Sequence, residues 1–253
     1  MKKIKPTVSI LLPVHNSEKH LTTCLRSLLS QSFRKIEVIA IDDDSKDSSY
    51  KILLKFKKRN KKLRVYKNVK KYGYAVTLNR LLKKSRGQFI GFMDADDISH
   101  ANKIKKQHLF LTQNPQVVAV GTQCRFINES DKKIGKSVFP SKNSVIYQNP
   151  LHGISMQFET LLINKHNLPK DLLRFNTNSH PFTYSDLLMK LIPYGKFANL
   201  NQYLYLHRRN PKTYLADLKR NIFPLVKLWV KSWALYDYQP RFISFFSSII
   251  KTS

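Results

Sequence analysis

The chain has 253 residues, 42% of them hydrophobic and 11% aromatic, enough to bury a sizeable core and to exclude general disorder. Seven glycines and eleven prolines exclude collagen-like and low-complexity classes. Lys and Arg number 45 against 16 Asp and Glu, a formal charge of +29. This marks either a surface that attracts phosphate, in nucleic acid, anionic lipid or a phosphorylated substrate, or a compositional bias toward Lys and Asn.

In chain order, the basic start Met1 to Pro6 leads into an apolar run, Val8 to Leu12, that stops at Pro13. That run is too short for a signal peptide, and no stretch is apolar enough to span a bilayer, so the expected location is cytosolic. Val8 to Leu12 reads as a strand. Leu21, Cys24, Leu25, Leu28 and Leu29 recur at helical spacing behind Asn16 or Ser17 as caps. Ile36 to Ile41 is a second strand, ending on Asp42-Asp43-Asp44-Ser45. A lysine-rich helix (Tyr50 to Lys61), a strand (Leu63 to Tyr66) and a helix marked by Ala75, Leu78, Leu81 and Leu82 follow. Gln88 to Met93 is the next strand and runs into Asp94-Ala95-Asp96-Asp97. Strands buried on both faces and separated by helices predict a mostly parallel, three-layer α/β sheet.

Beyond residue 115 a long strand opens at Val117, and Asn128 to Asp131 reads as a hairpin turn. Residues 135–155 lack periodicity. Ser185 to Leu191 reads as a short helix, Gln202 to His207 as a strand, and Thr213 to Tyr236 as a long helix containing Pro224. Cys24 and Cys124 sit among apolar neighbours and read as reduced core residues.

The scarce acids are concentrated. Asp42, Asp43, Asp44, Asp47, Asp94, Asp96 and Asp97 fall in two loops at strand ends, where open α/β sheets bind ligands. Like charges so close call for a cation or a hydrogen-bonding ligand, although Asp44 or Asp97 also suits a helix cap.

Pro13-Val14-His15-Asn16, Asp42 to Asp47, Gly73 with Asn79, Gly87 through Met93 into Asp94-Ala95-Asp96-Asp97, Gln107, Asn114-Pro115 and Val120-Gly121 together resemble glycosyltransferase family 2. The likeness is thinner afterwards, at His152, Ser185-Asp186 and Tyr205 to Arg208. It implies a GT-A fold, Rossmann-like, with a catalytic domain over residues 1–210. The nucleotide-sugar half would be about 1–125 and the acceptor half about 126–210, followed by a helical extension over 211–253. It further implies a metal-dependent, inverting transfer of sugar from a nucleotide-sugar, UDP-linked by preference, to a hydroxyl of a surface glycan or its lipid-linked precursor.

Carried over residue by residue, Pro13, Val14, His15, Asn16, Asp43, Asp44, Asn79, Asp94, Ala95 and Asp97 would hold the nucleotide-sugar. Asp96, Asp94 and His207 would hold Mn2+ or Mg2+, with Asp96 the direct ligand. Arg208 and Arg209 would face the diphosphate or solvent. Asp186 would be the base that deprotonates the acceptor. Three departures stand out: Asp44 where the family has Gly, Lys103 where Arg is common, and Ser185 where Glu precedes the Asp.

Two other readings compete. An inactive sugar-nucleotide-binding homologue would explain the departures at 44 and 185. A nucleic-acid-binding protein would explain the basic run Lys55 to Lys71, but no recognised nucleic-acid motif accompanies it and no nucleic-acid partner is expected. The tail from Phe242 to Ile250, with the preceding helix, has the amphipathic pattern of an element lying on an anionic membrane surface.

Overall fold

The computed structural model describes residues 5–149, 155–166, 168–179, 182–209, 222–241 and 244. The first half alternates strand and helix: β1 (Val8–Val14), α1 (Glu18–Leu29), β2 (Ile36–Asp42), α2 (Ser49–Arg59), β3 (Leu63–Lys67), α3 (Tyr74–Lys84) and β4 (Phe89–Phe92). The two-residue β5 (Ile98–Ser99), α4 (Lys103–Gln113), the long β6 (Val117–Ile127) and β7 (Lys133–Lys136) follow. The chain continues with α5 (Asn143–Gln148), β8 (Leu162–Asn164), α6 (Thr183–Leu191), β9 (Lys196–Arg208) and α7 (Ile222–Tyr236).

One mixed sheet runs in the order β3-β2-β1-β4-β8-β6-β9-β5, with β7 hairpinned onto β6. β1 is parallel to β2 and β4, β2 to β3, and β6 to β9. β8 lies antiparallel between β4 and β6 and joins the two halves. The expected division at 125/126 therefore falls inside β6, and the sheet is continuous across it.

Alternation along the strands explains the three layers. Ile10, Leu12, Val38 and Ala40 point to one face, where Leu21, Leu25 and Leu28 of α1, Leu53 of α2 and Ile104 of α4 cover them. Leu11, Ile39 and Ile41 point to the other, under Leu78 and Leu81 of α3 and Leu187, Leu188 and Leu191 of α6. Both cysteines are free and buried in the first of these layers.

The C-terminal helix differs from the expected one. Residues 213–221 and the tail residues Phe242, Ile243 and 245–253 lie outside the described residues, as does His152. Pro224 lies within α7. Leu225, Leu228 and Trp229 pack with Met189 of α6 and Tyr238. Val226 and Trp233, expected on the same face as Trp229, point outward instead.

Candidate active site

The parallel strands deliver their carboxyl ends to one edge, and a cavity of about 530 Å3 opens there. Pro13, Val14, His15 and Asn16 from the end of β1, Asp43 after β2, and Asp94, Ala95 and Asp96 after β4 all line it. Eight residues named from the sequence are thereby brought together. Lys71, Gly73, Tyr74, Thr77, Glu129, Lys19, His20 and Ser17 complete the wall.

Asp43 organises one side. Its Oδ1 accepts from Asn68 Nδ2 at 2.6 Å and from the Tyr72 amide at 2.9 Å, and its Oδ2 from the Gly73 amide at 2.8 Å. Gly73 holds φ +86°, a left-handed conformation that glycine adopts without the Cβ penalty. The 72–73 turn is thus pinned against the cavity by a carboxylate that is 4% exposed. His15 donates from Nδ1 to the Asp43 carbonyl at 2.9 Å, which orients the imidazole on the rim.

On the other side, ligand atoms of Asp94, Asp96 and Asp97 lie within 4.8 Å of one another. Burial raises the Asp94 carboxyl well above the usual range, and the charges of Glu159 and Asp97 add to the effect. Asp96 is raised too, by burial and then by Asp97. Negative charge crowded in this way, with carboxylate oxygens open toward a cavity, fits a hard divalent cation. Asp96 has no side-chain partner among the described residues, and Asp94 uses one oxygen to accept from the Tyr74 hydroxyl. These two would hold the ion.

Asp97 plays a different part from the donor contact expected of it. Its oxygens accept from Tyr205 Oη at 2.7 Å, His207 Nδ1 at 3.0 Å and the Arg208 amide at 2.6 Å, all from β9, and it does not line the cavity. It ties the acidic loop to the sheet. His207 spends Nδ1 on Asp97, its Nε2 lies 3.4 Å from Gln157 Nε2, and it stands beside the group formed by Asp94, Asp96 and Asp97. Burial works to lower its pKa, but the hydrogen bond and charge of Asp97 outweigh this and lift it to about 9. Arg208 bonds the Asp96 carbonyl and Asp131 and is buried, while Arg209 stacks on Phe126 with its guanidinium carbon 3.8 Å from the ring centroid.

Two further residues are placed away from the cavity. Asn79 is occupied by the backbone of Phe175, donating to its carbonyl and accepting from its amide, both at 2.8 Å. Asp44 turns outward to Lys46 at 2.8 Å; its φ of +57° explains why a glycine suits this position.

Asp186, in the first turn of α6, is fully buried and sits behind Tyr184. Lys231 Nζ lies 2.5 Å from its Oδ1, Tyr236 Oη 3.3 Å from the same atom, and Lys190 Nζ 3.3 Å from Oδ2. Among the described residues it does not line the cavity, so in this arrangement an acceptor does not reach it.

Sequence reading passed over Glu159 and the buried form of Lys103. Glu159 is 3% exposed and its charge acts on Asp94; Lys103 is 2% exposed, 5.4 Å above the Tyr205 ring, and burial lowers its pKa to about 7. The substitution of Lys for Arg at 103 offered a signal. Nothing in the local pattern marked Glu159.

A cavity at the carboxyl edge of a Rossmann-like sheet, walled by two aspartate loops, stands where open α/β sheets bind their ligands, and the sheet has the GT-A fold of the solved structures below. Residues 9–171 match the family described as Glycosyl transferase family 2, and the chain belongs to it. It is 29% identical over 165 residues to an Escherichia coli protein named UDP-Glc:alpha-D-GlcNAc-diphosphoundecaprenol beta-1,3-glucosyltransferase WfgD, covering 64% of each chain. Its fold is similar to S. aureus TarS 1-349 in complex with UDP-GlcNAc, with TM-score 0.70, 20% identity, and 92% and 68% of the two chains covered. It is likewise similar to the mannosyltransferase PcManGT from Pyrobaculum calidifontis in complex with GDP-Man and Mn2+, with TM-score 0.69, 18% identity, and 98% and 68% covered. The chain spans about two thirds of the length of some curated relatives it matches and less than half of others. The protein is a glycosyltransferase.

Proposed function

We propose that this chain transfers a sugar, with inversion, from a UDP-linked donor to a hydroxyl on a lipid-linked or surface glycan. The observation that carries the reading is the single cavity shared by the Pro13–Asn16 segment, Asp43 and the Asp94-Ala95-Asp96 triplet. Pro13 to Asn16 and Asp43 would bind the base and ribose, and Lys71 at the rim would face the diphosphate. Asp96 and Asp94 would hold Mn2+ or Mg2+, which when bound supplies Lewis-acid stabilisation of the departing diphosphate. The acceptor oxygen attacks the anomeric carbon, the bond to the diphosphate breaks, and the hydroxyl proton passes to a base.

Asp186 is that base in this reading. Tyr184, two residues before it, stacks on Phe158 and meets Tyr74, whose hydroxyl donates to Asp94, so α6 abuts the cavity wall. The role requires the Lys231 contact to open when acceptor arrives. The catalytic unit in this reading is residues 1–210, and the outer face of α7, beyond it, rests on an anionic leaflet at the cytoplasmic side.

A panel of nucleotide-sugars, with and without Mn2+ or Mg2+, tests the core of the proposal. Release of one nucleoside diphosphate should stand out and require the metal. Asp96→Asn should melt normally yet lower turnover by about two to four orders of magnitude, given the several kcal/mol a metal contributes. Metal-independent turnover, or full activity in Asp96→Asn, would refute it. Binding of UDP without any turnover would favour the inactive homologue.

A further inference from the structure

A second, larger cavity lies at the opposite edge of the sheet from the acidic loops. It is a groove of about 1320 Å3 under the amino ends of β1 and β4, bounded by Thr7, Gly87 and Gln88, by the end of α3, and by the segment that follows β8. With β1 seven residues long, at roughly 3.3 Å per residue, the two cavities are about 20–25 Å apart, too far to be one donor site.

Its lining is strongly cationic. Lys5, Arg80, Lys83, Arg86, Lys165 and Arg174 all face it, and Asp171 is the one acid there among the described residues. None of the six makes an ion pair among the described residues. Arg80 hydrogen-bonds only the neutral amide of Asn68 and stacks on Tyr72. Lys165 is pushed below the usual lysine range, first by burial and then by the charge of Lys5. Uncompensated positive charge around a concavity concentrates anions there.

The form of the groove narrows the ligand. Its cations are distributed around a large volume rather than converging on one point, which suits a chain of separated negative charges better than one phosphate. No Phe, Tyr or Trp is among its lining residues within the described part of the chain. Single-stranded nucleic acid is held by basic grooves furnished with aromatic stacking platforms, and this groove offers none.

It is also connected to the donor cavity. Helix α3 starts at Tyr74, on the wall of the donor cavity, and ends at Lys84 beside Lys83 in the groove, a run of about 16 Å at 1.5 Å per residue. Lys71 stands before it on the donor rim, and Arg80 and Lys83 lie along it, so cations mark the way from one site to the other.

We propose that the groove binds the already-built part of a polymeric acceptor that carries repeating phosphodiesters, holding the chain while its terminal hydroxyl lies at the transfer site. The inference rests on the transferase reading above for its purpose, but the groove's affinity for such a polymer is measurable without turnover.

The test measures binding of an end-labelled oligo(glycerol phosphate) to the full chain over a range of salt. Neutral dextran and oligouridylate of matched phosphate number serve as comparison ligands. Wild-type protein should bind the glycerol phosphate oligomer in a salt-sensitive way and ignore dextran. Lys83→Gln/Lys165→Gln/Arg174→Gln should bind it at least about tenfold more weakly, with a salt slope lower by roughly 2, as the loss of three phosphate contacts demands. UDP affinity and melting temperature should be unchanged in the triple variant, since none of the three residues lines the donor cavity. Unchanged affinity in that variant overturns the proposal. Oligouridylate that binds as tightly, and is lost equally, overturns it in favour of a nucleic-acid surface. Failure of wild-type protein to turn over any nucleotide-sugar would refute the transferase reading alone, leaving the binding result to stand or fall separately.

Discussion

At the scale of single residues, the acidic loop is supported by two buried cations with opposed pH behaviour. His207 has a folded pKa of about 9, above its ordinary 6.5. Its contribution to stability is therefore complete below about pH 6.5 and lost as pH rises through 9. Lys103 has a folded pKa of about 7, below its ordinary 10.5. The unfolded chain keeps that proton above pH 7 while the folded chain does not, so stability rises with pH from about 7 to 10.5. Between pH 7 and 9 the two slopes oppose each other, and metal-free wild-type protein should show a nearly flat melting temperature. His207→Gln should expose the lysine slope and grow more stable toward pH 9, while Lys103→Met should expose the histidine slope and grow less stable. Thermal melts at pH 7, 8 and 9 for the three proteins check the pair of signs. Parallel profiles in all three would show that neither proton couples to folding. Neither effect was legible in the sequence, because the burial of Lys103 and the pairing of His207 with Asp97 across 110 residues exist only in the folded chain.

At the scale of elements, what the sequence revealed follows from how far each signal is local. β1, β2 and β4 were plain because buried parallel strands are continuous apolar runs that stop at chemistry-bearing loops. The three-residue β8 is recognisable only through its partners β4 and β6, and the exposed, polar middle of β9 at Asn201 and Gln202 concealed the continuity of that strand. Eight lining residues of the cavity were legible for the same reason as these strands, because they come from the three adjacent loops after β1, β2 and β4, whereas Lys71 to Thr77 and Glu129 join them only in the fold. The engagement of Asn79 with the Phe175 backbone was not legible, because the two are distant in sequence. The α6–α7 contact belongs to this group, since no pattern at Asp186 announces Lys231. A buried carboxylate between two ammonium groups serves either as a fastening or as a base shielded until needed, and one variant separates these roles. Asp186→Asn keeps the shape and a hydrogen-bond acceptor for Lys231. If Asp186 is the base, sugar transfer falls about 10²- to 10⁴-fold while UDP affinity and the α7 contact survive. A fastening role predicts instead a loss of about 1–3 kcal/mol in stability, lessened by the partial exposure of Lys231, with transfer per folded molecule little changed. Calorimetry with UDP, a melting curve and a transfer assay on the same preparation distinguish the two roles. The proposed function predicts the first pattern.

At the scale of the whole molecule, the charge of +29 is distributed against a few localised acids, and one apolar surface stands out from it. Phe223, Val226, Val230 and Trp233 recur at helical spacing along α7 and are 83%, 56%, 61% and 68% exposed. The opposite side of the same helix is spent on α6, so this row has no partner among the described residues. No helix among the described residues is long and apolar enough to cross a membrane, and a row of this kind suits the interface plane instead. Lys227 on the same helix is exposed and would meet anionic headgroups, each such cation adding about 1 kcal/mol near a charged leaflet. The donor cavity would then work close to the surface that carries a lipid-linked acceptor. Phe223→Ser/Trp233→Ser should leave the fold intact, because both side chains are already in water. Co-sedimentation with vesicles rich in anionic lipid should drop severalfold in this variant and in high salt, and neutral vesicles should retain little of either protein. A truncation ending at Gln239 separates the helix from the tail beyond it. Should the double variant sediment as well as wild type while the truncation does not, the tail is the membrane element and the row on α7 is not. Should all three proteins bind anionic vesicles equally, the general positive charge alone is responsible and the docking role of α7 is excluded.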